Sequence, residues 1–255
     1  MELTNDITAK DVGMIFKRDG EDLPVLDSIN LEVARGSLVA IVGPSGCGKS
    51  TLLKILAKLL APTKGEAWID LKQIEDGIAY VPQSPLLLPW RTLLQNAALG
   101  IELKGQLSSG ALQSIKYRIE SYGLSGFEQS LTTELSGGMA QRVALIRALE
   151  SNPKVLFCDE PFSAIDFVTR LSLTTQFKKM CGVQNITTVL VTHNIEEAIF
   201  LGDKVIVMSG RPGRIIATHQ PYLSVGAYDA VECRRAPEFN KLFVQIWEEM
   251  KDGIT

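Results

Sequence analysis

One stretch constrains the fold of this chain more than any other. Leu38-Val39-Ala40-Ile41-Val42 is a short apolar run of the kind that forms a buried strand. Gly43-Pro44-Ser45-Gly46-Cys47-Gly48-Lys49-Ser50 follows, and then an apolar-periodic segment from Leu52 to Leu60 that stops at Pro62. Strand, glycine-rich turn and helix form the setting that the phosphate-binding pattern G-x-x-x-x-G-K-[ST] requires. The glycines let backbone N–H groups curl around phosphate oxygens, and the helix start adds the positive end of its dipole. In such a loop Lys49 reaches the β- and γ-phosphates and the Ser50 hydroxyl ligates Mg²⁺. An ordinary glycine-rich turn is the alternative, but it explains neither the lysine nor the hydroxyl. The stretch predicts a nucleotide-binding loop.

The rest of the chain has an α/β rhythm with one interruption. Val12–Phe16 and Val25–Val33 read as N-terminal strands separated by a charged loop, Lys17–Asp22. Glu66–Asp70 and Gly77–Val81 read as further strands. Helical periodicity then dominates, over Arg91–Gly100, Ala111–Tyr122 and Gly138–Glu150, and Asn152-Pro153 closes it. Strands return at Val155–Cys158, Thr187–Val191 and Lys204–Met208, alternating with helices over Phe167–Cys181 and Ile195–Leu201. The C-terminal part from Arg211 reads as a turn and one amphipathic helix, Pro237–Lys251. An α/β core with a mostly helical insert, and no internal repeat, is the expectation.

Charge and cysteine usage exclude several functions. The 255 residues carry 26 Lys+Arg against 29 Asp+Glu, a net charge of −3, without the basic footprint of a nucleic-acid binder. The polar, acidic start Met1–Asp6 does not read as a secretory signal. No apolar run approaches the roughly 20 residues that span a bilayer. Cys47, Cys158, Cys181 and Cys233 form no C-x-x-C pair, so neither zinc nor a disulfide framework is expected.

A phosphate loop alone leaves many functions open, and a second set of residues narrows them. Leu135-Ser136-Gly137-Gly138-Met139-Ala140-Gln141-Arg142 opens a helix with a hydroxyl, two glycines and free N–H groups, a second anion-binding geometry. Downstream, the apolar strand Val155–Cys158 ends in Asp159-Glu160. In this order the strings resemble the signature and Walker B motifs of the ATP-binding cassette (ABC) ATPases, and the resemblance covers nearly the whole chain. It implies a P-loop NTPase (RecA-like) α/β core with an N-terminal antiparallel β subdomain and an inserted α-helical subdomain. Residues 1–255 form one ABC ATPase domain on that reading, with the core at about 1–82 and 154–255 and the helical signature subdomain at about 83–153.

The resemblance also assigns roles. Gly43, Pro44, Ser45, Gly46, Cys47, Gly48, Lys49, Ser50 and Thr51 would hold ATP. Ser50, Asp159 and Gln83 would hold Mg²⁺. Glu160 would activate the attacking water, helped by Gln83, Lys49 and the switch histidine His193. Phe16 stands where the family carries an aromatic stacked on adenine, although it also suits a strand core. Asp166, ending Ser163-Ala164-Ile165-Asp166, would lie in the D-loop. Ser136, Gly137 and Gly138 would complete the nucleotide site of a second, head-to-tail copy. His219 has no motif around it and reads as a surface residue. Asn194 stands where family members often have Asp.

The apolar loop Leu86–Thr92 follows Gln83 and would line the groove that receives a helix of the permease. Leu88-Pro89-Trp90 with Asn96, Leu135–Met139 and Ser209–Ile215 are together similar to the nitrate/sulfonate/taurine branch of ABC importers. That implies a homodimer on the cytoplasmic face of the inner membrane, bound to separate permease subunits and served by a solute-binding protein. Nitrate, sulfonates, taurine and bicarbonate are among the branch's solutes. An exporter or lipoprotein-release ATPase would share the ATPase motifs. A cassette acting on nucleic acid would instead call for a basic face or zinc cysteines.

Overall fold

The computed structural model describes residues 5–70, 77–224 and 229–253; the readings at Met1–Thr4 and across 71–76 lie outside them. Strands β1 (Asn5–Arg18) and β2 (Glu21–Ala34) form an antiparallel hairpin, and β4 (Lys64–Ile69) adds to the other side of β1. The charged loop expected over Lys17–Asp22 is mostly strand, because Lys17 pairs with Asp22 and Arg18 with Glu21. Only Asp19 and Gly20 turn, with φ of 54° and 86°. Two residues at positive φ give the tight turn whose twist matches that of the flanking strands.

The second sheet has the order β5-β6-β7-β3-β8-β9. Its parallel members are β3 (Leu38–Val42), β5 (Ile78–Val81), β6 (Val155–Asp159), β7 (Thr187–Val191) and β8 (Lys204–Met208), with β9 (Ile215–His219) antiparallel at the edge. Every residue of β3, β6 and β7 is buried, as strands covered on both faces must be. Their side chains alternate between two cores. Val39, Ile41, Phe157 and Val189 face the three-stranded sheet and helix α1 (Lys49–Leu56), while Ala40, Val42, Leu156 and Leu190 face the remaining helices.

Helices α2 (Leu93–Leu103), α3 (Ser109–Ser121) and α4 (Gly137–Glu150) lie between β5 and β6 in the chain and pack on one another. Val143, Ile146 and Leu149 of α4 are fully buried, and Met139 is partly so. After β6 come α5 (Phe167–Val183), α6 (Ile195–Leu201), α7 (Ala230–Arg235) and α8 (Pro237–Asp252). The antiparallel β sheet, parallel sheet and interposed helices match the expected fold class.

Three details differ from the sequence reading. Helix α1 stops at Leu56 rather than Leu60, since Lys58 takes a left-handed φ of 60° and reverses the chain. Strand β9 and helix α7 were not anticipated, being short and only half-buried. His219 is not a surface residue: its ring is largely buried and its Nε2 lies 2.7 Å from Glu249 Oε2 on α8. The alternation of β9 aims it inward. Among the described residues no helix is long and apolar enough to cross a membrane.

Candidate active site

The loops after the C-terminal ends of β3, β5, β6 and β7 converge on one edge of the parallel sheet, where ligands of open α/β sheets bind. The loop after β3 is closely packed. A Cβ on Gly43 would lie 2.9 Å from Met208 O, and one on Gly48, whose φ is 107°, would lie 2.9 Å from Val25 O. Gly48 caps α1 without a side chain, so the first N–H groups of the helix face outward. Lys49 is nearly buried, and its Nζ donates to Gly43 O and Pro44 O, both at 2.8 Å. Burial pushes the Cys47 thiol above its ordinary range, which makes it an inert member of the loop.

A turn containing a cis Arg211–Pro212 peptide buttresses this loop. Arg211 donates from Nε and Nη2 to Gly46 O, at 3.1 and 2.8 Å. Gly213 lies so close that a Cβ on it would come within 2.2 Å of Cys47 O.

A cavity of about 580 Å³ opens over the loop, and its walls include Phe16, Lys17, Arg18, Ser45, Gly46, Gly48, Lys49, Ser50, Thr51, Gln83, Glu160 and Arg211. Four of these are cations and one is an acid, a balance that attracts a polyanion. Phe16 offers a part-exposed ring on the hairpin side of the cavity.

The Ser50 hydroxyl donates to Asp159 Oδ1 at 2.8 Å, and Tyr80 lies 3.5 Å from Oδ2. Burial holds Asp159 above the usual carboxylate range, the Ser50 hydrogen bond offsets part of this, and the Glu160 charge adds to it. Tyr80 is pushed well up, first by burial and then by Asp159, so it remains a donor.

Glu160 is the meeting point of three loops. Its Oε2 accepts from Gln83 Nε2 at 3.2 Å and lies 3.0 Å from His193 Nδ1. Its backbone is left-handed, with φ 48°, an uncommon state for a non-glycine residue and one that clusters at functional sites. The structure thus brings Gln83, Asp159, Glu160 and His193 together beside Lys49 and Ser50. Gly43, Pro44 and Cys47 shape the loop from behind. Ser136, Gly137, Gly138 and Asp166 stand outside the cavity: Ser136 caps α4 by accepting from Met139 N, and Asp166 caps α5 by accepting from Thr169 N.

The sequence reading did not single out Tyr80, Gln141, Arg211 or Glu197 for this region. Glu197, on α6 just after His193, is buried, and its Oε1 has no hydrogen-bond partner among the described residues. Burial raises it from 4.5 to about 8, against the pull of Arg170 and a Thr192 hydrogen bond. The folded protein therefore holds this proton more tightly than the unfolded chain does, and stability falls as pH climbs from about 4.5 to about 8. Glu197→Gln removes that loss. Thermal melts should show the variant gaining on the parent across this window and levelling off above it.

Residues 26–163 match the family model described as ABC transporter. This chain belongs to the ABC transporter family. The ATP-binding protein of an aliphatic sulfonate importer, SsuB 1 of Pseudomonas syringae, is 42% identical over 229 residues, covering 90% of this chain and 91% of its own. The taurine import ATP-binding protein TauB of Roseobacter denitrificans is 36% identical, over 90% of this chain and 89% of its own. Among solved structures, the dimeric bacterial ABC transporter cassette MJ0796 superposes with a TM-score of 0.76 at 31% identity, covering 85% of this chain and 99% of that one. A structure of MJ0796 bound to ADP and Pi in a post-hydrolysis state superposes at 0.74. The chain is an ABC-type ATPase that works in transport, and ABC cassettes of this kind bind ATP or ADP.

Proposed function

We propose that this chain powers uptake of a small organic sulfonate, of the taurine or alkanesulfonate class, as one of two identical ATPase subunits bound to permease subunits at the cytoplasmic face of the membrane. The observation that carries the catalytic reading is the convergence of Gln83 and His193 on Glu160 Oε2 at the cavity wall. Glu160 acts as general base toward the attacking water, Gln83 and His193 orient it, and Lys49 leaves its loop carbonyls for phosphate oxygens. Phe16 stacks on the adenine, which needs only a ring face. Gly43–Thr51 wrap the phosphates.

Mg²⁺ fits the residues present. Asp159 is a buried carboxylate that meets the hydroxyls of Ser50 and Tyr80, surroundings that suit a hard cation and oxygen ligands. Ser50, Asp159 and Gln83 would hold it. Bound there, it would supply charge neutralisation between the phosphate oxygens.

Docking on a permease is supported by the loop after Gln83. Leu86 and Trp90 are 67% and 72% exposed, yet the backbone beneath them is fixed. Arg147 donates to Pro85 O and Leu86 O, and the fully buried Asn96 bonds Leu88 through both its N–H and its C=O. A rigid loop that presents apolar side chains outward is built for contact. The solute class follows the relatives named above, which align over nearly their full length.

The test is reconstitution of the chain with the permease and solute-binding protein of a sulfonate importer, in vesicles loaded with MgATP. Taurine or an alkanesulfonate should accumulate only with ATP. Uptake of neither, or ATP-independent flux, overturns the reading.

A further inference from the structure

Gln141 does not line the cavity, yet its side chain is buried and hydrogen-bonded through both ends of its amide. It lies on the first turns of α4 and is 1% exposed. Its Nε2 donates to Glu160 O at 2.9 Å, and its Oε1 accepts from Ala164 N at 3.3 Å. A carbonyl on one side and an N–H on the other leave one sensible orientation for the amide. The remaining contacts of Glu160 show what the amide holds. Glu160 N donates to Val191 O at 2.8 Å, and Ser163 Oγ donates to Glu160 O at 3.0 Å. These bonds and that of Gln141 clamp the one non-glycine residue of the cavity wall with left-handed backbone, whose carboxylate must meet Gln83 and His193. Beside Gln141, a Cβ on Gly138 would lie 2.9 Å from Ala164 O. The turn Ser136–Gly138 is therefore seated directly on the backbone that follows Glu160.

We propose that Gln141 is the positioning residue for Glu160: its amide docks the start of α4 on the 160–164 backbone and fixes the peptide that aims the carboxylate. The proposal rests on the reading of Glu160 as base. It does not require Gln141 to touch nucleotide.

Two substitutions test it. Gln141→Leu removes both hydrogen bonds and leaves an apolar side chain one atom shorter. It should lower kcat between about tenfold and about 10²-fold, the range a displaced catalytic group costs, with KM and the nucleotide affinity of the monomer within about twofold of the parent. Gln141→Glu separates the two contacts, because a carboxylate accepts from Ala164 N but cannot donate to Glu160 O. Protonation restores the donor. The ratio of its kcat to that of the parent should therefore rise as pH is lowered from about 8.5 to about 6, since burial against a carbonyl raises a carboxyl's pKa. Taking the ratio at each pH cancels the effects of pH on the assay that both proteins share.

A flat ratio overturns the proposal. So does parental kcat in both variants, or loss of fold in both, which would make Gln141 merely structural. If Leu alone fails to fold, the pH ratio decides. Glu160→Gln, assayed alongside, keeps the two readings apart. Parental turnover in it sinks the base assignment and the inference together. Stalled turnover in it with parental turnover in the Gln141 variants sinks the inference only.

Discussion

Glu160→Gln should bind ATP as the parent does and hydrolyse it about 10²- to 10³-fold more slowly, the usual contribution of a positioned general base. The substitution is isosteric and leaves the backbone untouched, so the bonds to Val191, Ser163 and Gln141 persist. What it removes is the charge that accepts a proton from water. His193 still lies near the amide, and Gln83 loses only an acceptor. The loss corresponds to about 2.7 to 4 kcal/mol in the barrier. Binding energy that normally drives closure is then not released by hydrolysis, and an ATP-dependent dimer should accumulate, visible by light scattering. Phosphate release with saturating MgATP gives the rate, and a labelled nucleotide gives the affinity. Turnover within about threefold of the parent would falsify the assignment of Glu160.

Much of this site is legible in the chain because its chemistry is backbone chemistry with local rules. The phosphate loop needs glycines where Met208, Val25 and Leu26 crowd it, and those glycines appear as a string. Strands β6 and β7 are recognisable because both faces are buried, which forces runs of apolar and β-branched residues that lead into Asp159-Glu160 and Thr192-His193. Sheet order then does the rest, since neighbouring parallel strands deliver their following loops to one edge. Contacts between distant loops are not local and leave no such trace. Tyr80 against Asp159, Arg211 on Gly46 and Gln141 on Glu160 span 79, 165 and 19 positions. Each looks like an unremarked residue on its own element until the tertiary register is known. His219 was misread for the same reason, as its partner Glu249 belongs to a helix 30 positions away. Charge misled at Lys17–Asp22 because an exposed hairpin tip carries polar side chains on both faces without ceasing to be strand.

The second large effect concerns residues that do nothing for their own cavity. Ser136, Gly137 and Gly138 lie outside its walls, and within the chain only two of the three are accounted for. Ser136 caps α4, and Gly138 lacks room for a Cβ against Ala164 O. Gly137 meets nothing: a Cβ there would have no neighbour within 4 Å. We propose that a second cassette places its nucleotide on this turn, so close that a side chain at position 137 would stand in the way. Ser136→Arg is then expected to abolish ATPase while leaving the monomer's nucleotide affinity within about twofold, because the obstruction falls on the partner's site. The lost cap costs about 1 kcal/mol of stability, too little to unfold the protein. Gly137→Leu removes no cap, and its Cβ meets no neighbour within 4 Å, so it isolates the intermolecular effect and should also stop turnover. Both variants must still bind nucleotide and fail to dimerise on ATP in the Glu160→Gln background. Normal hydrolysis by Gly137→Leu would mean that the turn faces only solvent, and each cavity would then have to work alone.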